Sequence, residues 1–117
     1  MVLGVELWQL DSEAVQPHAP RVLLSDEGAS RAILLALPAG ERLQDHQVHE
    51  HALVIVCEGE LIIRAGADEQ RLPAPGMAHF DPSERHEVQA VSDTRLLICL
   101  SPWPGPGHPS LLARDAT

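Results

Sequence analysis

Seven consecutive residues in the middle of the chain hold most of the side chains that could do chemistry. The stretch DHQVHEH, residues 45–51, contains three histidines and two acids and directly precedes the apolar run ALVIVC. Neutral imidazole is the commonest transition-metal ligand, and two or three imidazoles with a carboxylate suit iron, manganese, nickel, copper or zinc. The stretch therefore suggests a metal site. The alternative is a solvated, histidine-rich turn on an acidic protein.

Metal ligands must converge in space, and strand geometry limits which histidines can do so. His49 and His51 are two residues apart and share one face of a strand. His46 has the opposite parity and joins them only through a turn or bulge. His86 lies more than thirty residues further on, where a neighbouring strand of a barrel could bring it close, and His79 is the remaining candidate.

Other kinds of active site find little support. There is no GxSxG nucleophile elbow and no glycine-rich phosphate loop followed by a helix. Cys57 and Cys99 each lie in an apolar run, which raises a thiol pKa and leaves the group inert. The chain has neither lysine nor tyrosine, so lysine-based and tyrosine-based catalysis are excluded. No catalytic residue can be assigned from the sequence.

The composition narrows the class of protein. A chain of 117 residues fits one domain, and its net charge of -9 argues against nucleic acid and against anionic membranes as partners. The start MVLGVELWQLD has no basic region and does not resemble a signal peptide. We therefore expect a cytoplasmic protein.

Short apolar runs separated by Pro, Gly and acidic clusters recur about every ten residues, a pattern typical of an all-β sandwich or barrel. The tail SPWPGPGHPS, residues 101–110, is predicted to be extended and outside any sheet because of its prolines. Trp103 in this tail is either an anchor, on the barrel or on a partner chain, or an incidental residue. The predicted strands are VELWQL, RVLLSD, RAILLAL, ALVIVC, ELIIRA with DEQRL as a hairpin, MAHF, RHEVQAV and RLLICL.

Two spacings resemble those of the cupin family, specifically the small, single-domain, RmlC-like cupins. Gly40 is followed by His46 at the spacing of the family's first motif, which closes at Gly59. The second motif is matched by Gly76, Pro82 and His86 in PGMAHFDPSERHEV. The resemblance runs from about Arg31 to Leu100, which is most of the chain.

The resemblance implies a double-stranded β-helix, or jelly-roll barrel, with a pocket at one end. It divides the chain into N-terminal strands and a connecting segment over residues 1–30, the barrel over 31–101, and a Pro-rich tail over 102–117. Cupins include dioxygenases, isomerases, storage proteins and sensor domains, so the fold alone does not name an activity.

The family's four metal ligands are only partly kept. His46 and His86 stand at ligand positions, whereas Val48 and Ala52 replace a histidine and a glutamate. His49 or His51 is proposed as a third ligand, with His49 preferred. If Ala52, Val54 and Val56 point into the barrel, His51 points out; His79 ranks behind both.

Two functions remain open. The first is a divalent transition metal (Zn, Ni, Mn, Fe or Cu) bound by His46, His86 and His49 or His51, with dioxygenase-like or isomerase-like chemistry. Glu50 or Glu84 would move protons there, although we expect both to be exposed surface carboxylates. The alternative is a metal-free barrel without catalytic activity that binds a small molecule or acts as a sensor, and in both cases the expected partner is a small-molecule ligand. A homodimer is expected in either case, with VELWQL as an added strand and Trp8 as an interface anchor or a core residue.

Overall fold

The structure is a computed structural model that describes residues 4–46 and 48–109; for residues 44–46 it describes the backbone only. Over this range the regular elements are β-strands, so the all-β prediction is confirmed. No helix within the described residues is long and apolar enough to cross a bilayer. The strands are β1 (Arg21–Asp26), β2 (Ala29–Leu37), β3 (Arg42–His46), β4 (His51–Glu58), β5 (Glu60–Ala65), β6 (Asp68–Pro73), β7 (Gly76–Phe80), β8 (His86–Ala90) and β9 (Thr94–Trp103).

The strands form two antiparallel sheets. One has five strands in the order β1-β2-β9-β4-β7, and the other has four in the order β3-β8-β5-β6. Consecutive strands often belong to different sheets, so the chain passes repeatedly from one layer to the other. This exchange brings β3 next to β8, where His46 and His86 are Cα partners.

The core lies between the two sheets, and the alternation of β4 shows why. Ala52, Val54 and Val56 are buried, whereas His51 at the start of the strand is exposed. Successive side chains of a strand point to opposite faces, so one face of β4 packs inward and the other faces away from the second sheet. The buried cluster comprises Leu37, Ala52, Val54, Val56, Leu61, Phe80, Val88, Ala90, Leu96 and Leu100.

Gly59 makes the tight connection between β4 and β5. Its φ is 86°, in the left-handed region that favours glycine. A Cβ atom at this position would lie 2.4 Å from the carbonyl oxygen of Asp93 and 2.5 Å from the hydroxyl of Thr94. The glycine that closes the first motif is therefore required by the backbone and not by the site.

The N-terminal strand prediction is wrong. Residues 4–9 have no regular structure, and a turn begins at Leu10. The alternation of VELWQL predicts a strand, but this segment pairs with no strand of the described chain, and Leu7 is 86% exposed. Arg95 holds the turn that follows against β9 by donating hydrogen bonds to the carbonyls of Leu10 and Glu13. The homodimer stays a prediction.

The prediction that SPWPGPGHPS lies wholly outside any sheet is also wrong, because β9 continues through Ser101, Pro102 and Trp103. Trp103 pairs with Ala29, and the register shifts before the next pair. Pro102 falls at this irregularity, where a missing N–H is tolerated. Trp103 packs against the core cluster and so anchors the segment on the barrel. Residues 110–117 of the tail lie outside the described residues.

Candidate functional site

A small cavity lies between the two sheets and is almost entirely apolar. Its volume is about 140 Å³. Nine aliphatic side chains and one imidazole form its described wall. They are Ile33, Leu43, Val48, Ala52, Val54, His86, Val88, Leu96, Ile98 and Leu100. A wall of this composition holds a guest chiefly by burial of apolar surface.

His86 is the polar side chain of that described wall. It begins β8, is 4% exposed, and stacks on Phe80 with ring centroids 3.8 Å apart. Its Nδ1 lies 3.1 Å from the carbonyl oxygen of Glu84, so Nδ1 carries the proton and donates it. The imidazole is therefore fixed in orientation by a hydrogen bond and a ring contact.

His46 lies across from His86 on the neighbouring strand. The two are Cα partners in the β3–β8 ladder, after a register shift that follows Leu43. This irregularity lies before the stretch HQVHEH, residues 46–51, where a turn or bulge was considered. The side chain of His46 lies outside the described residues, so its part in a metal site stays a prediction.

His49 and Glu50 form the turn before β4 and contact the Pro-rich segment. The ring of His49 meets the ring of His108 edge-on, with centroids 5.7 Å apart. Glu50 is 1% exposed, and its Oε2 accepts a hydrogen bond of 2.7 Å from the Gly105 N–H. The expectation that Glu50 is an exposed carboxylate is wrong, because it is buried as an anchor for this segment.

Glu84 is exposed, as expected, and has a local structural role. Its Oε1 accepts a hydrogen bond of 3.0 Å from the Asp81 N–H, which closes the turn between β7 and β8. A carboxylate engaged in capping a turn is accounted for without catalysis. Its use as a proton carrier stays a prediction.

A second group of polar side chains lies on the outer face of the five-stranded sheet. His51 Nδ1 is 3.0 Å from His79 Nε2. Asp81 Oδ1 is 3.8 Å from the first nitrogen and 3.9 Å from the second. These three exposed residues are close enough together to hold a metal ion. Among the side chains that the structure describes, the group does not include His49 or His86.

Neither cysteine has the properties of a reactive nucleophile. Burial raises the pKa of the Cys99 thiol, and burial also raises the pKa of Cys57, although Arg95 acts in the opposite direction. A raised pKa keeps each thiol protonated near neutral pH, and the protonated form is a poor nucleophile. The direction agrees with the sequence analysis.

Comparisons with known proteins identify the fold. No protein-family model and no curated protein matches the chain. An RmlC-like cupin from Desulfovibrio desulfuricans is similar with a TM-score of 0.73 and 21% identity over 84% of this chain and 97% of that chain. An RmlC-like cupin with a double-stranded β-helix fold from Methanocaldococcus jannaschii has a TM-score of 0.68 and 15% identity, covering 97% and 98%. The chain has the cupin fold.

The predicted double-stranded β-helix is thereby confirmed, and the two departures from the cupin motif can be located. Val48 and Ala52, which replace two ligands of the family, both line the cavity. His51 lies one residue before Ala52 and on the other face of β4, as its parity predicts. The metal site formed from His46, His49, His51 and His86 stays a prediction.

Sequence reasoning missed Asp81 and the role of Glu50. Asp81 follows His79 by two residues, and this spacing on a strand was the available signal. Nothing in the sequence relates Glu50 to Gly105, since 55 residues separate them. A buried carboxylate between two histidines is indistinguishable in sequence from a solvated one.

Proposed function

We propose that this cupin binds a small, largely apolar molecule in its barrel without a metal. The observation that carries the proposal is that Val48 and Ala52 line the cavity. At these positions the motif resemblance leads one to expect a histidine and a glutamate, and aliphatic side chains cannot coordinate a metal. His86 then supplies a polar contact that orients the guest.

The size of the cavity indicates the class of ligand. An apolar cavity of about 150 Å³ accommodates a benzene-sized molecule, and this one measures about 140 Å³. The fitting ligand is therefore a single aromatic ring or a short branched chain, with a polar substituent directed at His86. Larger metabolites would require the wall to move.

Thermal unfolding of chelator-treated protein tests the proposal. Single-ring aromatic and short aliphatic compounds should raise the Tm in a concentration-dependent way, because a ligand that binds only the folded state stabilises it. Ala52→Leu fills the cavity and should abolish this stabilisation. Ala67→Leu, in the exposed turn between β5 and β6, is the matched control and should retain it.

Two results would count against a ligand-binding barrel. One is the absence of any stabilising compound in such a panel. The other is a stabilisation that Ala52→Leu leaves intact, since the compound would then bind elsewhere. Val48→Leu provides a second cavity-filling variant if Ala52→Leu is too unstable to measure.

The second candidate is a metal-binding cupin, and the β3–β8 register is the observation that favours it. Antiparallel partners such as His46 and His86 have Cα atoms about 4.5–5.5 Å apart. Zinc, nickel, manganese, iron or copper bound by this pair and His49 would allow dioxygenase-like or isomerase-like chemistry. Among the described residues of the cavity wall, His86 is the one that offers a nitrogen ligand. Whether a metal fits the cavity therefore depends on the imidazole of His46. Metal content that is lost in His46→Ala and in His86→Ala would support this candidate.

A further inference from the structure

We propose that His51, His79 and Asp81 form a transition-metal site on the outside of the barrel. The site is separate from the cavity and independent of what the cavity binds. Two imidazoles and one carboxylate favour transition metals such as zinc, nickel or copper over calcium and magnesium, which prefer oxygen ligands.

The sheet places the three side chains on one face. Ala52 pairs with Phe80 and Leu53 pairs with His79 in the β4–β7 ladder. Continuing this register by one residue puts His51 across from Asp81. His79 precedes Asp81 by two residues and therefore points to the same side. The paired strands thus place the three side chains next to one another on one face, with Asp81 directly after β7.

The distances among the donor atoms match metal coordination. The three atoms form a triangle with sides of 3.0, 3.8 and 3.9 Å. A point about 2.1 Å from all three exists in its plane, which is the length of a zinc–imidazole or zinc–carboxylate bond. An ion at or just above this point would keep further positions for water.

One histidine of the pair has to change its tautomer before both can bind a metal. One ring now donates an N–H to the lone pair of the other. Metal binding requires a lone pair on each of these two nitrogens, so the proton moves through solvent to the other nitrogen of its own ring, and the rings turn toward the ion. Both rings are about half-exposed, so their rotation meets little packing resistance.

The position of the site favours reversible binding. All three side chains are exposed, and three protein ligands leave the ion open to exchange, unlike a closed four-ligand structural site. His79 also lines the groove between β6 and β7, together with Arg71 and Met77. A bound metal would therefore lie at the rim of that groove.

Titration of tag-free protein with zinc chloride, followed by calorimetry, tests the site. We expect one zinc ion per chain in the wild type. His79→Ala and His51→Ala should each weaken the Kd at least about tenfold, because loss of even an outer-shell partner has that effect. Histidine side-chain NMR should show zinc-dependent shifts for these two rings.

His18→Ala is the matched control. His18 is also an exposed histidine beside a carboxylate, with Nε2 2.8 Å from Glu41, but among the described residues it belongs to no group of three ligands. This variant and His86→Ala should bind zinc as the wild type does. The proposal is overturned if the wild type binds no zinc at micromolar concentrations. It is also overturned if zinc binding is lost in His86→Ala or His49→Ala but not in His79→Ala.

Discussion

The inner cavity and the outer histidine group use the same residue type in opposite ways. His86 is buried, stacked on Phe80 and fixed by a backbone carbonyl. His51 and His79 are half-exposed and contact each other beside Asp81. The first imidazole is one polar group in an apolar chamber, whereas the other two belong to a polar group open to water. Their surroundings, and not their number, decide what they can bind.

The two regions meet at adjacent residues of β4. His51 and Ala52 are adjacent, yet one faces solvent and the other lines the cavity. Strand alternation separates them, so a histidine stretch that looks like one cluster in sequence is divided between two surfaces. Counting histidines therefore overestimates the ligands available to either site.

The largest expected effect comes from introducing a glutamate at position 52, on the cavity face of β4, and is compared with a glutamate at position 51 on the outer face. Ala52→Glu should destabilise the protein by about 3–5 kcal/mol, because its carboxylate would be buried in a cavity whose described wall is aliphatic apart from His86. His51→Glu should cost less than about 1 kcal/mol, since an exposed charge near Asp81 is screened by water. Urea unfolding of both variants measures the contrast. Equal losses would mean that the two faces are not as different as the structure indicates.

Truncation of a cavity-lining side chain should have the next largest effect. Leu96→Ala removes a fully buried side chain and should cost about 2–5 kcal/mol. Leu53→Ala, on the outer face of β4, should cost less than half as much because Leu53 is only partly buried. The same denaturation experiment compares them. A larger loss at Leu53 would indicate that a partner covers the outer face.

Substitution of Glu50 measures how strongly its carboxylate holds the segment of chain that follows β9. Glu50→Gln weakens the charge-assisted hydrogen bond to the Gly105 N–H, and we expect a loss of about 1 kcal/mol. Glu84→Gln, which changes an exposed carboxylate of the same kind, should cost less. Chemical denaturation at neutral pH is the measurement. An unchanged stability in Glu50→Gln would show that the carboxylate does not anchor the tail.

The smallest effect concerns a thiol on β9. Burial raises the pKa of the Cys99 thiol, so the folded protein holds this proton to higher pH than the unfolded chain does. Alkylation by iodoacetamide should be slow at pH 8 and should accelerate only above the ordinary thiol pKa of about 8.5. Mass spectrometry of Cys57→Ser protein follows this single thiol. Rapid modification at pH 7 would contradict the raised pKa.

Much of the fold was predictable because turn signals divide the sequence clearly. Gly66 lies in the turn of the predicted ELIIRA–DEQRL hairpin, and the PAPG and DPSE stretches separate strands that the sequence also predicts. The strand predicted at residues 5–10 does not form, because alternation produces a strand only where a partner strand exists. The site was harder. Parity placed His51 correctly, but the burial of Glu50 depends on a contact with Gly105 that no local pattern encodes.

The packing of Trp103 has an optical consequence. The chain contains two tryptophans and no tyrosine, so its ultraviolet emission comes from Trp8 and Trp103. The indole of Trp103 lies 4.7 Å from the Arg31 guanidinium and meets the His108 ring at 4.9 Å. In a Trp8→Phe background a single fluorophore would remain, attached to the segment that Glu50 holds in place. The wavelength and lifetime of its emission would then follow detachment of that segment in real time, without any added dye.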